Sequence, residues 1–397
     1  MATQTDVHEI PTRRETIKGG GAVLGGGLLA GCASESPDAE PTETNDTTTS
    51  QTKEDPTPYE VTIEPAGSHT FEEVPETYAS IPGAWMDIAM GFGIQPTAVA
   101  AFDRLPLKYY DALPGVEFDA DAVRTLGESA ESQYDKEVFY DVSADVHLMD
   151  PRMLKRYSGW EDGDLEEIES NIGPILGSLI RFPFDGRDPY YTLYEAFGKA
   201  AQIFQRQAQY EAWVELKEPF YADIESRLPA TGDKAPTIAA FNFGFDAESG
   251  EFYAANIDAA RNDTRSFRIL GVNNAFEGDE YVPFKRIGYE ELLEVDPDYI
   301  GTIGYLSYID DDQFQEIIET AQDHETVGQL SAVQEGNFVR TGGQYMGPII
   351  DLFSVEALAK QLYPEEYGEW PGSIHDVPDG EQLFDRQRVA DIINGNL

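Results

Sequence analysis

The sequence predicts an α/β protein in two halves. Three observations carry this: a strand, helix, strand unit over residues 77–102, the two longest helical stretches at residues 191–204 and 206–228, and a second run of strands and helices opening at residue 237. Residues 59–64 alternate as an edge strand ahead of the first unit. Residues 77–81 then form a short strand that stops at Pro82-Gly83, residues 84–92 a helix closed by Gly93, and residues 97–102 the next strand. That order seeds a parallel sheet, because parallel neighbours need a crossover between them. Val138-Phe139 and residues 146–149 are strands or helix ends before Asp150-Pro151, and residues 157–173 are acidic and loop-rich.

The stretch 206–228 sets Ala208, Ala212, Trp213, Leu216, Phe220 and Ile224 at helical spacing. At about 1.5 Å per residue it spans roughly 34 Å, enough to cross a domain, with Pro219 bending or interrupting it. Beyond Pro229, strands are expected at 237–241, 299–303 and 337–341. Helices are expected at 289–293, 313–320 and 349–362, the last ending at Pro364.

The first residues are an address. Thr12-Arg13-Arg14-Glu15-Thr16-Ile17-Lys18 precedes a glycine-rich apolar run and has the form of a twin-arginine export signal, although Thr16 stands where a large apolar residue is usual. The run over 19–30 is too short for a membrane span, which needs roughly twenty residues. Leu29-Ala30-Gly31-Cys32 resembles a lipobox, which makes Cys32, the single cysteine, a lipidation site. Residues 33–58 are almost entirely Ser, Thr, Asp, Glu, Pro, Gln and Asn, an extended tether. Asn45-Asp46-Thr47 and Asn262-Asp263-Thr264 are glycosylation sequons.

The formal charge is −47, from 27 basic and 74 acidic residues. Such a surface repels nucleic acid and anionic lipid, so neither is an expected partner. Yet 41% hydrophobic residues, with 21 Tyr and 21 Phe, suffice for large cores. Molar salt, with a Debye length of about 3 Å, reconciles the two by screening the carboxylates. The composition therefore predicts a halophile protein, archaeal, that loses structure at low salt. With one cysteine there is no internal disulfide, and the roughly 340 residues beyond the tether predict two domains.

Several segments together resemble the ferric-siderophore and cobalamin type, cluster A, of substrate-binding proteins of ABC importers. Residues 289–300, with Asp296-Pro297-Asp298 between helix and strand, are similar to a characteristic step of that family, and residues 330–339 to its Leu-x-Ala-Val-x-x-Gly-x-Val-Tyr segment. Residues 349–364 look like its last helix and residues 82–96 like its first ligand-loop helix. Gln205-Arg206-Gln207-Ala208 stands at its Gly-Arg-x-x-x-Ala position, with Gln205 in place of glycine. The resemblance implies two Rossmann-like α/β lobes joined by one long helix, with a ligand cleft between them and only modest closure. It divides the chain into a signal (1–31), a tether (32–58), an N-terminal lobe (59–190), crossing and connecting helices (191–228), a C-terminal lobe (229–370) and an extension (371–397).

The implied function is extracytoplasmic capture of a ferric siderophore by a lipid-anchored monomer, which hands it to an ABC permease and its ATPase. Cobalamin or haem is the alternative ligand of the same class. Loops after strands face the cleft of such folds, and aromatic walls with arginine forks suit a bulky anionic chelate. The candidates are Trp85, Arg104, Phe243, Tyr305 and Tyr345, with Tyr109, Tyr110, Arg181 and Arg340 behind them. The resemblance also implies permease-docking acids, for which Glu128 and Glu277 are placed in the two halves. His8, His69, His147, His324 and His375 are scattered, so no protein-held metal or other cofactor is expected. No Gly-x-Ser-x-Gly, P-loop or zincin helix occurs, and the protein is expected not to be an enzyme; an exported hydrolase is the alternative from another class.

Overall fold

Short strands buried on both faces make the N-terminal sheet. Its order is β5 (Arg124–Gly127), β4 (Ala98–Ala100), β3 (Tyr78–Ser80) and β6 (Val146–Leu148), all neighbours parallel. The computed structural model describes residues 57–397 apart from Pro82, 129–132, 230–231 and Gln344. The expected helix after β3 is α1 (Ala84–Met90), every residue of which is buried. An antiparallel hairpin of β1 (Tyr59–Ile63) and β2 (Gly67–Phe71) precedes this sheet and is tied down by the Tyr59 hydroxyl, which donates to Ile203 O at 2.6 Å.

Two expectations in this half need correction. Val138-Phe139 lies inside a helix, α2 (Lys136–Val142), and the acidic segment expected as loop contains α3 (Asp162–Asn171). Acids there serve the helix rather than oppose it. Glu161 and Asp164 cap its first turn reciprocally, where negative charge is favoured, and Lys136 joins the two helices at 2.7 Å from both Asp164 and Glu167. Leu165 and Ile168 supply the buried stripe.

Helix α4 (Leu193–Ile203) leads into α5 (Gln207–Ser226), which runs unbroken through Pro219. The C-terminal sheet follows. It contains β7 (Thr237–Asn242), β8 (Phe252–Ala254), β9 (Asn273–Asn274), β10 (Lys285–Ile287), β11 (Tyr299–Ile303) and β12 (Phe338–Thr341), in the order β10-β8-β7-β11-β12 with β9 also on β7. The central β7, β11 and β12 are parallel; β8 and β10 run antiparallel at one edge. The helices of this half include α6 (Arg265–Ile269), α7 (Tyr289–Val295), α8 (Asp311–Asp323) and α9 (Pro348–Leu362). The fold is thus the two-lobed α/β arrangement expected. No helix among the described residues is long and apolar enough to cross a membrane.

One hydrophobic core runs through both lobes, from Tyr78 and α1 across α4 and α5 to Phe267 and α9. Asp87, fully buried in α1, accepts from the N–H groups of Ile349 and Ile350 at 3.0 and 3.1 Å and so caps α9 from the other lobe. Burial pushes its carboxyl up to about 7 against the downward pull of those hydrogen bonds. The C-terminal residues complete the junction. Helix α10 (Arg386–Ile393) packs on α5, the Gln209 amide donates to Ile392 O at 2.8 Å, and the buried Arg386 meets the buried Glu356 at 2.9 Å. Gly93 fits beneath this segment because any Cβ there would stand 2.6 Å from Ile393 O.

Candidate functional site

Loops at the carboxyl ends of parallel strands border the candidate site. Those leaving β4 and β7 border a cleft of ≈ 1120 Å³ between the lobes, walled by Arg104, Arg156, Arg181, Phe182, Phe184 and Arg187 on one side and Phe243, Asp258, Asp279 and Phe284 on the other. A smaller recess of ≈ 360 Å³ shares Arg104, Arg181 and Phe243 with it and is lined by Gly304, Tyr305, Tyr308 and Gly343. The cleft lining holds four arginines and four aspartates (Asp185, Asp188, Asp258, Asp279), whereas the whole chain has 27 basic residues against 74 acidic ones. Cations are concentrated here against the trend of the entire surface.

Four of the nine expected ligand residues line this space. Arg104 stands exposed, its guanidinium 5.7 Å from the Tyr308 ring centre, with no carboxylate partner among the described residues. Phe243 is 64% exposed and sits at φ 63°, a backbone region that disfavours a bulky side chain, with its ring held edge-on 5.3 Å from both Tyr253 and Phe284. Strain and an exposed ring in one residue are costly to the fold, so their combination marks a surface shaped for contact. Tyr305 accepts from Phe245 N–H at 3.0 Å through its hydroxyl, an approach that requires Gly244: a Cβ there would lie 1.9 Å from the hydroxyl. Arg181 reaches the lining while its Nε donates to the buried Asp263 at 2.8 Å.

The other five belong to the interior, which corrects the expectation. Trp85 is buried and donates through Nε1 to Ser178 O at 2.7 Å. Tyr109 and Tyr110 are fully buried; the first meets Ser307 Oγ across the lobes at 3.1 Å, and the second lies beside Asp87. Burial raises both phenols. Tyr345 reaches Ala101 O at 3.4 Å from beneath β4. Arg340, 1% exposed, donates to Asp310 O at 2.9 Å, Asp311 Oδ1 at 2.8 Å and Gly372 O at 2.5 Å, and lies over the Phe314 ring. These five side chains turn into the core instead of toward the cleft.

Arg156, Arg187, Phe184 and Phe284 were missed. They come from the segments 153–157, 182–188 and 279–284, which carry no strand signal to orient them. The dense run Arg181-Phe182-Pro183-Phe184-Asp185-Gly186-Arg187, two arginines and two phenylalanines around a turn, is the available clue. Glu128 and Glu277 are both exposed, one in each lobe. Asn262 is buried and its amide donates to Met346 O, so that sequon is closed to glycosylation in the folded protein. Cys32, the export signal, the tether and the Asn45 sequon lie outside the described residues. Among the described residues, no three or more His, Cys, Asp or Glu converge on a point where a metal ion would sit.

Residues 89–345 match the family model described as periplasmic binding protein. The fold is similar to that of a periplasmic binding protein from Veillonella parvula at 17% identity and a TM-score of 0.50, over 85% of this chain and 98% of that one. Helicobacter pylori CeuE with Ni(II) bound gives 14% identity and a TM-score of 0.53, over 81% and 98%. The siderophore-binding protein BauB, bound to a complex of two acinetobactin molecules and ferric iron, gives 14% and 0.51, over 85% and 99%. At such identities the likeness is one of fold. No curated protein matches the sequence.

Proposed function

We propose that this chain, which belongs to the periplasmic binding protein family, captures a ferric siderophore in the inter-lobe cleft and delivers it to an ABC permease. Proteins of that family are binding proteins rather than enzymes, and they work outside the cytoplasm. The ligand reading rests on one observation: in a chain of charge −47, the cleft gathers Arg104, Arg156 and Arg187 beside the rings of Phe182, Phe243 and Phe284. Guanidinium forks suit the oxygens of an anionic chelate, and rings suit its flat apolar faces. A volume of ≈ 1120 Å³ fits a bulky ligand, at the upper end of common small-molecule sites. The core shared by both lobes favours a largely preformed pocket, closing little on binding.

The same reading gives the remaining features their places. Twin-arginine export followed by lipidation of Cys32 would tether a folded monomer near its permease, with Glu128 and Glu277 as docking acids on the two lobes. The acidic surface belongs to a halophilic, archaeal host. Calorimetric titration in molar salt with ferric hydroxamates, cobalamin, haemin and free metal ions tests the ligand. Saturable binding of a ferric chelate is expected. Saturable binding of a bare metal ion alone, or turnover of a peptide or glycoside, would overturn the reading.

A further inference from the structure

Behind the cleft, beyond Ala260, which lines both spaces, lies a second hollow of ≈ 370 Å³. It opens between the approach to α4 and the short helix α6. Ile180, Pro189, Leu193 and Ile269 form its apolar wall; Arg265 and Arg268 form its polar one. Each guanidinium is fixed along one edge. Arg265 donates from Nη1 to Asp351 and to the Tyr221 hydroxyl, while Arg268 donates from Nη1 to Ile257 O and Thr264 Oγ1, both at 2.7 Å, and from Nη2 to Arg261 O. Nε of both, and Nη2 of Arg265, make no hydrogen bond to the described residues.

The charges around this hollow do not balance. Asp263 serves both Arg181 and Arg261, and Asp351 serves Arg265, which leaves Arg268 in no salt bridge among the described residues, with Asp263 and Asp258 acting on it only from further off. Burial pushes the Arg268 guanidinium down to about 10; Asp263 and Asp258 oppose that shift, and the cations of Arg265 and Arg261 add to it. A partly buried cation in this state is stabilised by an anion from outside the chain. The hollow is too large for an inorganic ion alone, since a water occupies about 30 Å³ and most of the space would be filled by water against apolar side chains. An apolar wall facing a cationic one matches a molecule with a hydrocarbon body and an anionic end.

We propose that this hollow is a second ligand site, for a small organic carboxylate whose oxygens meet the outer edges of Arg265 and Arg268 and whose body lies along Ile180, Pro189, Leu193 and Ile269. The preorganised guanidiniums provide charge-assisted bonds without first having to be ordered. Such a ligand would bridge the crossing segment and the C-terminal lobe, independently of the cleft ligand.

The probe is 4-iodobenzoate, soaked into crystals of the full chain and titrated calorimetrically against wild type, Arg268→Gln and Arg104→Ala. The expected iodine signal lies in the hollow, with about a tenfold or greater loss of affinity in Arg268→Gln, the worth of one charge-assisted bond. Arg104→Ala should bind the probe as wild type does. An iodine signal in the cleft alone, no signal at saturating probe, or unchanged affinity in a folded Arg268→Gln overturns the proposal. Bromide filling the hollow where 4-iodobenzoate does not would also overturn it, in favour of a site for inorganic anions. Should Arg268→Gln fail to fold, the crystal soak decides.

Discussion

At the back of the inter-lobe junction, Arg340 and Arg386 are buried with their Nη groups engaged: the first by two carbonyls, Asp311 and the Phe314 ring, the second by Glu356, Ile374 O and the Phe353 ring, while Nε of each makes no hydrogen bond to the described residues. At the front, Arg104 stands over one tyrosine ring with its fork turned to an open cleft. The same residue type is structural in one region and available in the other. The difference lies in how many acceptors the surrounding backbone supplies. A buried arginine is stable when most of its donors are used, whereas one facing water can hold them in reserve for a ligand.

The comparison breaks most visibly at the back. Arg386→Leu strands Glu356 in the core, so unfolding should become easier by about 3–5 kcal/mol while the folded fraction keeps its chelate affinity. Denaturant titration at molar salt measures this, and a loss below 1 kcal/mol would show that the pair is solvated.

Asp87 at the seam should give the next largest effect. Its folded pKa of about 7 lies above the unfolded value near 3.8, so its contribution is fully present below about pH 4 and is lost as pH rises through 7, by a few kcal/mol in all. Asp87→Asn keeps an oxygen for the α9 cap and removes the titration. The variant should therefore lose less stability between pH 5 and pH 8 than wild type does; parallel curves would contradict the assignment. His147, buried and pushed down to about 4 by desolvation, acts with the opposite sign, since stability falls as pH drops from about 6.5 toward 4. His147 is common to both proteins, so the difference between their pH curves isolates Asp87.

At the front, Gly244→Ala places a methyl group against the Tyr305 hydroxyl and should displace that ring from the recess, weakening chelate binding about tenfold. The smallest effect belongs to Tyr109→Phe. It removes one inter-lobe hydrogen bond to Ser307, worth about 1 kcal/mol of stability, and should leave ligand affinity unchanged. A ligand-binding loss there would return Tyr109 to the cleft.

Much of the fold was legible in the sequence because hydrophobic periodicity and turn residues report burial directly. The run at 299–303 was read as a buried strand, and β11 is that strand. The acidic segment 157–173 hides a helix from sequence reading because its support comes from far along the chain, where Lys136 of a neighbouring helix joins Asp164 and Glu167. In the candidate site, the rule about strand ends leads to Arg104, Phe243 and Tyr305, which line the cleft and its recess. It did not separate Arg104 from Arg340, or Phe243 from Tyr345. Those pairs differ in where a side chain points, which depends on partners such as Gly372 and Ala101 that are distant in sequence. Arg156 and Arg187 lie far from any strand end and gave no periodic signal at all.

The account stands most directly on one titration: a ferric siderophore against wild type and an Arg104→Ala/Phe243→Ala double variant, in molar salt. Both changed residues touch the cleft and little else, so the melting temperature should hardly move. The expected result is saturable one-to-one binding by wild type, with affinity reduced about a hundredfold in the double variant, roughly tenfold for each residue. Equal affinity in the two proteins would contradict the assignment of the cleft as the capture site.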